Sequence, residues 1–181
     1  SFHSAQWQHQ HDLEGKRIVV IGTGASAFQF APEIAKTAAD VVIFQRTPPW
    51  ISTTPDYHAD VPPGKHWLLN HVPFYAQWYR FSMFWRAAEG ILSAVAKDPA
   101  WPDQRLSISA NNDELRKLFV ASLEELCGDD KALLEKVLPT YPPGGKRILI
   151  DNGNWIRALR RSNVRLVTDG IREINATGVQ S

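Results

Sequence analysis

Lys16-Arg-Ile-Val-Val-Ile-Gly-Thr-Gly-Ala-Ser-Ala27 decides the fold, together with Val41-Val-Ile-Phe-Gln-Arg-Thr47 further on. The first stretch reads as an apolar β-strand over 16–21, ending in Gly22-x-Gly24-x-x-Ala27 with a helix opening on its small residues. Apolar residues on both faces of that strand predict a central parallel strand buried on each side. Gly22 suits a tight turn off the strand, Gly24 lets a backbone approach a pyrophosphate, and Ala27 allows helix and strand to pack closely. The helix N-terminus offers free N–H groups and the positive end of its dipole to an anion. Thr23 and Ser26 add hydroxyl donors, and Ala25 and Gln29 complete the set of residues expected to bind a dinucleotide.

About 20 residues beyond the glycines, where an NAD-binding unit carries Asp or Glu, the second strand (40–45) ends in Arg46. A guanidinium here favours an added 2′-phosphate where a carboxylate would repel it. Charge-assisted contacts from Arg46, Thr47 and one further cation, at about 1.5–3 kcal/mol each, predict a preference for NADP on the order of 100- to 10,000-fold. An acidic residue is the usual partner of a methyltransferase's similar turn, so Arg46 also argues against that class.

The bulk composition sets outer limits. The chain has 181 residues, 44% hydrophobic and 22% charged, with a net charge of +1. This suits one domain with a substantial core and gives no reason to propose nucleic acid as a partner. The single cysteine, Cys127, excludes an internal disulfide or a cysteine-built zinc site and predicts a reducing, cytoplasmic setting. No apolar run approaches the ~20 residues of a membrane span. His9 and His11 share one face of an extended segment but lack a third ligand at useful spacing, so no metal site is expected. The chain opens at Ser1 without a methionine and stops just after a strand-like piece near Gly178, as a portion of something longer would.

Along the chain, residues 1–15 read as a linker. The first helix runs from Ala25 to about Thr37 with Ala27, Phe28, Ile34, Ala35 and Ala38 toward the sheet and a kink or a new turn at Pro32. Pro48-Pro49 then ends the α/β pattern, and 48–145 reads as a helical insertion with helices at about 64–71, 74–97, 111–127 and 130–138. Asn111, Asn112 or Asp113 suits the cap of the third, and Asp129 or Asp130 that of the fourth. Leu115, Leu118, Phe119, Ser122, Leu123 and Leu126 form a helical stripe, and Trp67, Phe74, Trp78, Phe81, Phe84 and Trp85 a second, aromatic one. The second stripe reads as core or as a surface covered by a partner domain.

Tyr141-Pro-Pro-Gly-Gly145 is a turn-forming hinge, after which the α/β pattern resumes. Strands are expected at 147–150 and 164–168, a short helix at 154–161, and two short strands near 171–175 and 178–180. Alternation along the strand at 147–150 would point Lys146 and Arg147 to opposite sides. The fold class is therefore α/β: a Rossmann-like NADP-binding domain (16–47 and 146–181) with a large α-helical insertion.

Taken together, these residues resemble the Baeyer–Villiger monooxygenases, flavoproteins that use NADPH and oxygen to turn ketones into esters or lactones. The family fingerprint runs Phe-x-Gly-x-x-x-His-x-x-x-Trp. His3-Ser-Ala-Gln-Trp7 matches its second half at the right distance from Gly22-Thr-Gly-Ala-Ser-Ala27. The match continues through Gln45-Arg-Thr-Pro-Pro-Trp50, Gly145-Lys-Arg147, Asp151-Asn-Gly153 and Asn163-Val164. The insertion, with His71-Val-Pro-Phe-Tyr-Ala76, looks most like the 4-hydroxyacetophenone monooxygenase branch.

The resemblance implies Arg46, Thr47 and Lys146 on the 2′-phosphate, and Arg147 on the flavin side of the nicotinamide. A fixed guanidinium there would stabilise negative charge at the flavin. It implies for His3 a role in coupling the motions of the FAD and NADP domains. It also implies an FAD domain, whose Gly-x-Gly-x-x-Gly the chain lacks, so the chain is expected to be inactive without that domain. Two other readings use the same residues: a flavin-dependent N-hydroxylating monooxygenase, and a stand-alone NADP-binding interaction module.

Overall fold

The computed structural model describes residues 1–181. Strand β1 (Arg17–Ile21), helix α1 (Ala25–Ile34) and strand β2 (Asp40–Phe44) form the opening β-α-β unit. Strand β5 (Val164–Val167) completes a three-stranded parallel sheet in the order β1-β2-β5. In-register pairing aligns Ile18 with Val41 and Val164, and Val20 with Ile43 and Leu166. Because side chains alternate along each strand, these two rows share one face, and that face carries the core. Phe28, Ala31 and Ile34 of α1 cover it, helped by α7 (Asn154–Leu159), whose buried Trp155 stacks on Phe28 at 5.0 Å between centroids.

The opposite face departs from the expectation of a strand buried on both sides. Val19 is 42% and Ile21 56% exposed. The cause is topological: β1 lies at one end of the strand order, and the helices packed on the sheet lie on its other face. Helix α1 also ends earlier than expected. The α-helix stops at Ile34, two residues past Pro32, and the chain goes on in turns closed by Thr37 N and Ala38 N donating to Ile34 O at 3.2 and 2.9 Å; Asn163 ties this end by donating to Ala35 O and Ala38 O, both at 2.9 Å.

A short strand that Pro48-Pro49 concealed follows β2. This β3 (Ile51–Thr53) pairs in parallel with β4 (Leu149–Asp151), forming a separate two-stranded sheet that closes the base of the insertion. Strand β4 begins at Leu149, so Lys146 and Arg147 precede it, and strand alternation does not govern their directions. Asp151 is buried and accepts from Gly153 N and Trp155 N, both at 2.7 Å, which starts α7. At the end of the chain β6 (Glu173–Asn175) and β7 (Gly178–Gln180) form an antiparallel hairpin.

The insertion contains α2 (Pro63–His71), α3 (Tyr75–Ala87), α4 (Glu89–Val95), α5 (Ala110–Cys127) and α6 (Lys131–Val137). The single helix expected over 74–97 breaks at Ala88, whose φ of −106° and ψ of −81° are not helical. Ser109, not one of Asn111–Asp113, caps α5 by accepting Asn112 N at 3.2 Å; Asp130 caps α6 by accepting Leu133 N at 2.9 Å. Leu123 and Cys127 of α5 and Leu133 and Val137 of α6 join the sheet's core, whereas Leu118 of the same stripe faces solvent. Helices α2, α3 and α4 bury no residue, and their aromatic stripe is exposed rather than core. No helix is long and apolar enough to cross a membrane.

Candidate nucleotide-binding site

The carboxyl ends of β1, β2 and β5 open onto one cleft of about 600 Å³. This is where an open parallel sheet binds its ligand. Gly22, just past β1, has a φ of +95°, a left-handed conformation that favours glycine. Its N–H donates to Phe44 O at 2.9 Å, so the turn stays tied to the neighbouring strand. Gly24 caps α1 without a side chain, and a Cβ added there would point into open space. The N–H groups of Thr23 to Ala27 consequently have no acceptor within the chain. They form a set of donors at the positive end of a helix, on the wall of the cleft.

Three cations share that cleft. Arg46 and Thr47 follow β2, held by the buried Gln45 beside them, whose N–H donates to Val167 O at 2.8 Å and whose Nε2 donates to Lys136 O at 2.7 Å. Lys146 and Arg147 enter from the far side of the insertion. Arg46, Lys146 and Arg147 form no ion pair within the chain; the four present involve Lys36, Lys117 and Arg165. Unpaired cations opposite free backbone donors are the chemistry of a polyphosphate site.

The cleft gathers eight of the expected residues: Gly22, Thr23, Gly24, Ala25, Arg46, Thr47, Lys146 and Arg147. Four lie outside its lining. Ala27 is buried against the core, and Ser26 and Gln29 are exposed on α1. His3 caps the short 3₁₀ turn Ser4–Gln6, its Nδ1 accepting Ala5 N at 3.1 Å, while Trp7 packs on Phe30 of α1 at 5.0 Å. No group of three or more His, Cys, Asp or Glu is assembled as a metal site.

Sequence reasoning passed over two parts of the lining. Thr168, Asp169, Gly170 and Ile171 follow β5, and Tyr141 lies in the hinge. The first group was available from the rule that ligands meet the carboxyl ends of parallel strands, applied to the third strand as well as to the first two. Tyr141 carried no comparable signal.

Comparison with known proteins finds the same fold and related sequences among monooxygenases. A family model described as flavin-binding monooxygenase-like matches residues 1–59. An uncharacterized monooxygenase of Sinorhizobium fredii is 36% identical over 179 residues, covering 99% of this chain and 27% of that protein. A Baeyer–Villiger monooxygenase of Pseudomonas aeruginosa is 36% identical over 180 residues, covering 98% of this chain and 31% of its own length. Among solved structures, an oxidized steroid monooxygenase bound to NADP superimposes with a TM-score of 0.72 at 27% identity, over 97% of this chain and 38% of that one. The complex of OTEMO with FAD and NADP matches in fold, with a TM-score of 0.71 at 23% identity over 99% of this chain and 38% of that one. The chain spans about a third of the length of these curated relatives. Along nearly all of its length it is similar to part of several monooxygenases, Baeyer–Villiger monooxygenases among them.

Proposed function

We propose that these residues form the NADPH-binding portion of an FAD-dependent monooxygenase that inserts one oxygen atom of O2 into a ketone, giving an ester or lactone. The observation that carries this reading is the single cleft in which the free N–H groups of the Gly22–Ala25 turn face unpaired Arg46, Lys146 and Arg147. In this reading the turn holds the pyrophosphate, while Arg46, Thr47 and Lys146 hold the 2′-phosphate. Ser26 and Gln29, beside the turn on α1, contribute as the cofactor settles. Arg147 faces the nicotinamide from the flavin side, where its fixed charge favours anionic oxygen. FAD, bound elsewhere in the whole protein, supplies the activation of oxygen. His3, at the start of the segment that Trp7 anchors to α1, relays movement between the FAD-binding and NADP-binding parts rather than donating a proton.

Two finer assignments belong to the same reading. The insertion sequence at His71–Ala76 favours the 4-hydroxyacetophenone branch. A reducing cytoplasm suits the single buried thiol of Cys127, whose pKa burial pushes up.

The test is a pair of titrations. NADP+ should bind more tightly than NAD+, and Arg46→Ala should weaken NADP+ on the order of 10- to 100-fold while moving NAD+ less than about twofold. Equal affinities of the unaltered protein for the two dinucleotides would sink the reading.

A further inference from the structure

The cleft's cations come from two places far apart in the chain. Arg46 and Thr47 end the second strand; Lys146 and Arg147 follow the whole insertion. A site divided in this way needs a mechanical link, because independent fluctuation of the two loops would blur the spacing of charges that a phosphate must meet.

Tyr141 touches both sides. Its hydroxyl donates to Pro48 O at 3.0 Å, one residue beyond Thr47 and 93 positions away in sequence. Its carbonyl accepts from Trp50 Nε1 at 2.9 Å, and Trp50 is fully buried beside Phe119. The hinge then reverses at Pro142–Gly145, closed by Gly145 N donating to Pro142 O at 3.2 Å. This turn brings the chain back so that Lys146 Nζ lies over the Tyr141 ring, 4.8 Å from its centroid. Tyr141 also lines the cleft. Burial pushes the phenol's pKa up, so the hydroxyl remains a donor across the physiological range.

The choice of an aromatic support matters. A carboxylate beside Lys146 would hold the ammonium but neutralise it, and an incoming phosphate would have to displace that partner. A ring face attracts the cation through its quadrupole and leaves the charge and its N–H donors available. We infer that Tyr141 is a positioning residue that determines dinucleotide specificity: its ring presents Lys146 to the 2′-phosphate, and its hydroxyl fixes the Arg46–Thr47 loop at the matching distance. The inference rests on the reading of the cleft as an NADP site.

Binding of NADP+ and NAD+ to four forms of the protein tests it: unaltered, Tyr141→Leu, Lys146→Met and the double variant. Tyr141→Leu should weaken NADP+ on the order of fivefold and NAD+ less than about twofold. In the Lys146→Met background the same change should move NADP+ only about 2.5-fold, because the ring has lost the charge it supports and only the hydroxyl's hold on the Arg46–Thr47 loop remains to be lost. Tyr141→Phe keeps the ring and guards against a folding defect in the leucine variant; it should weaken NADP+ by about half as large a factor. Equal weakening of both dinucleotides by Leu and Phe would make Tyr141 a merely structural residue and overturn the inference. So would a Tyr141→Leu effect that persists undiminished without Lys146. Absence of any NADP+ preference in the unaltered protein would instead remove the underlying reading of the cleft.

Discussion

The two halves of the helical insertion each carry an apolar stripe at helical spacing and meet opposite fates. Helices α5 and α6 send Leu123, Cys127, Leu133 and Val137 into the same core that the parallel sheet uses. Helices α2, α3 and α4 bury nothing, although Trp67, Phe74, Trp78, Phe81, Phe84 and Trp85 outweigh the apolar content of α5. Helical spacing of apolar residues thus identifies a helix with a sticky face, but says nothing about which surface it meets. What separates the halves is their tether. Ser122 of α5 shares a 2.8 Å hydrogen bond with Thr53 of β3, and α5 lies against β3 and α7, so the inner half is held to the small β3–β4 sheet and to the helix that packs on the core. The outer half reaches the rest of the chain mainly through contacts of α4 with α5.

The strongest way to break this comparison is to empty the shared core. Trp155 is 1% exposed and stacked on Phe28, and its indole N–H has no partner whose loss would complicate the result. Trp155→Ala should destabilise the protein by about 3–5 kcal/mol, read as a lowered denaturant midpoint. A loss below about 1 kcal/mol would show that sheet and helices do not share one cooperative core.

A smaller effect is expected where the halves join. Asn112 is fully buried on α5; its Oδ1 accepts Ile108 N at 3.2 Å, and its Nδ2 donates to Ala94 O at 2.7 Å and Pro143 O at 3.0 Å. One side chain therefore pins the end of α4 and the hinge to α5. Asn112→Ala leaves three backbone groups without partners, at about 2–3 kcal/mol in total. Amide hydrogen exchange should accelerate over 89–97 and in the hinge, while β1 and β2 keep their protection. Uniform acceleration through the sheet would mean that the outer half is not separately tethered.

The same contrast between local and distant causes sets how far the sequence could be read. The turn after β1 was legible because its logic is local: Gly22 takes a positive φ, Gly24 leaves its cleft side open, and α1 starts immediately after them. Arg46 was legible because the strand fixes its distance from that turn. Strand β3 was not, since its three residues follow two prolines and acquire strand geometry from a partner across the insertion. Nor was the open face of β1, because apolar alternation records what a strand is able to bury and not which neighbours this chain supplies. At the start of α5 several good capping residues stood in a row; Ser109 took the cap and Asn112 the buried cross-link, a division that only packing decides. Tyr141 belongs to the same class, its role arising from Pro48, Trp50 and Lys146 together.

The smallest expected effect is the sharpest control, because it repeats the first substitution in the other region. Trp78 sits on the exposed face of α3, 68% exposed, with Phe81 edge-on at 5.8 Å and Trp85 next along the stripe. It carries the same indole as Trp155, and helix propensity slightly favours Ala at either position. Burial is what differs. Trp78→Ala should therefore change the stability of this chain by less than about 0.5 kcal/mol, against the several kcal/mol expected for Trp155→Ala. Denaturant titration of the two variants side by side reads the difference directly. A loss above about 2 kcal/mol at Trp78 would mean that the aromatic stripe packs on the chain's own surface in solution, and the two halves of the insertion would then differ in sequence but not in role.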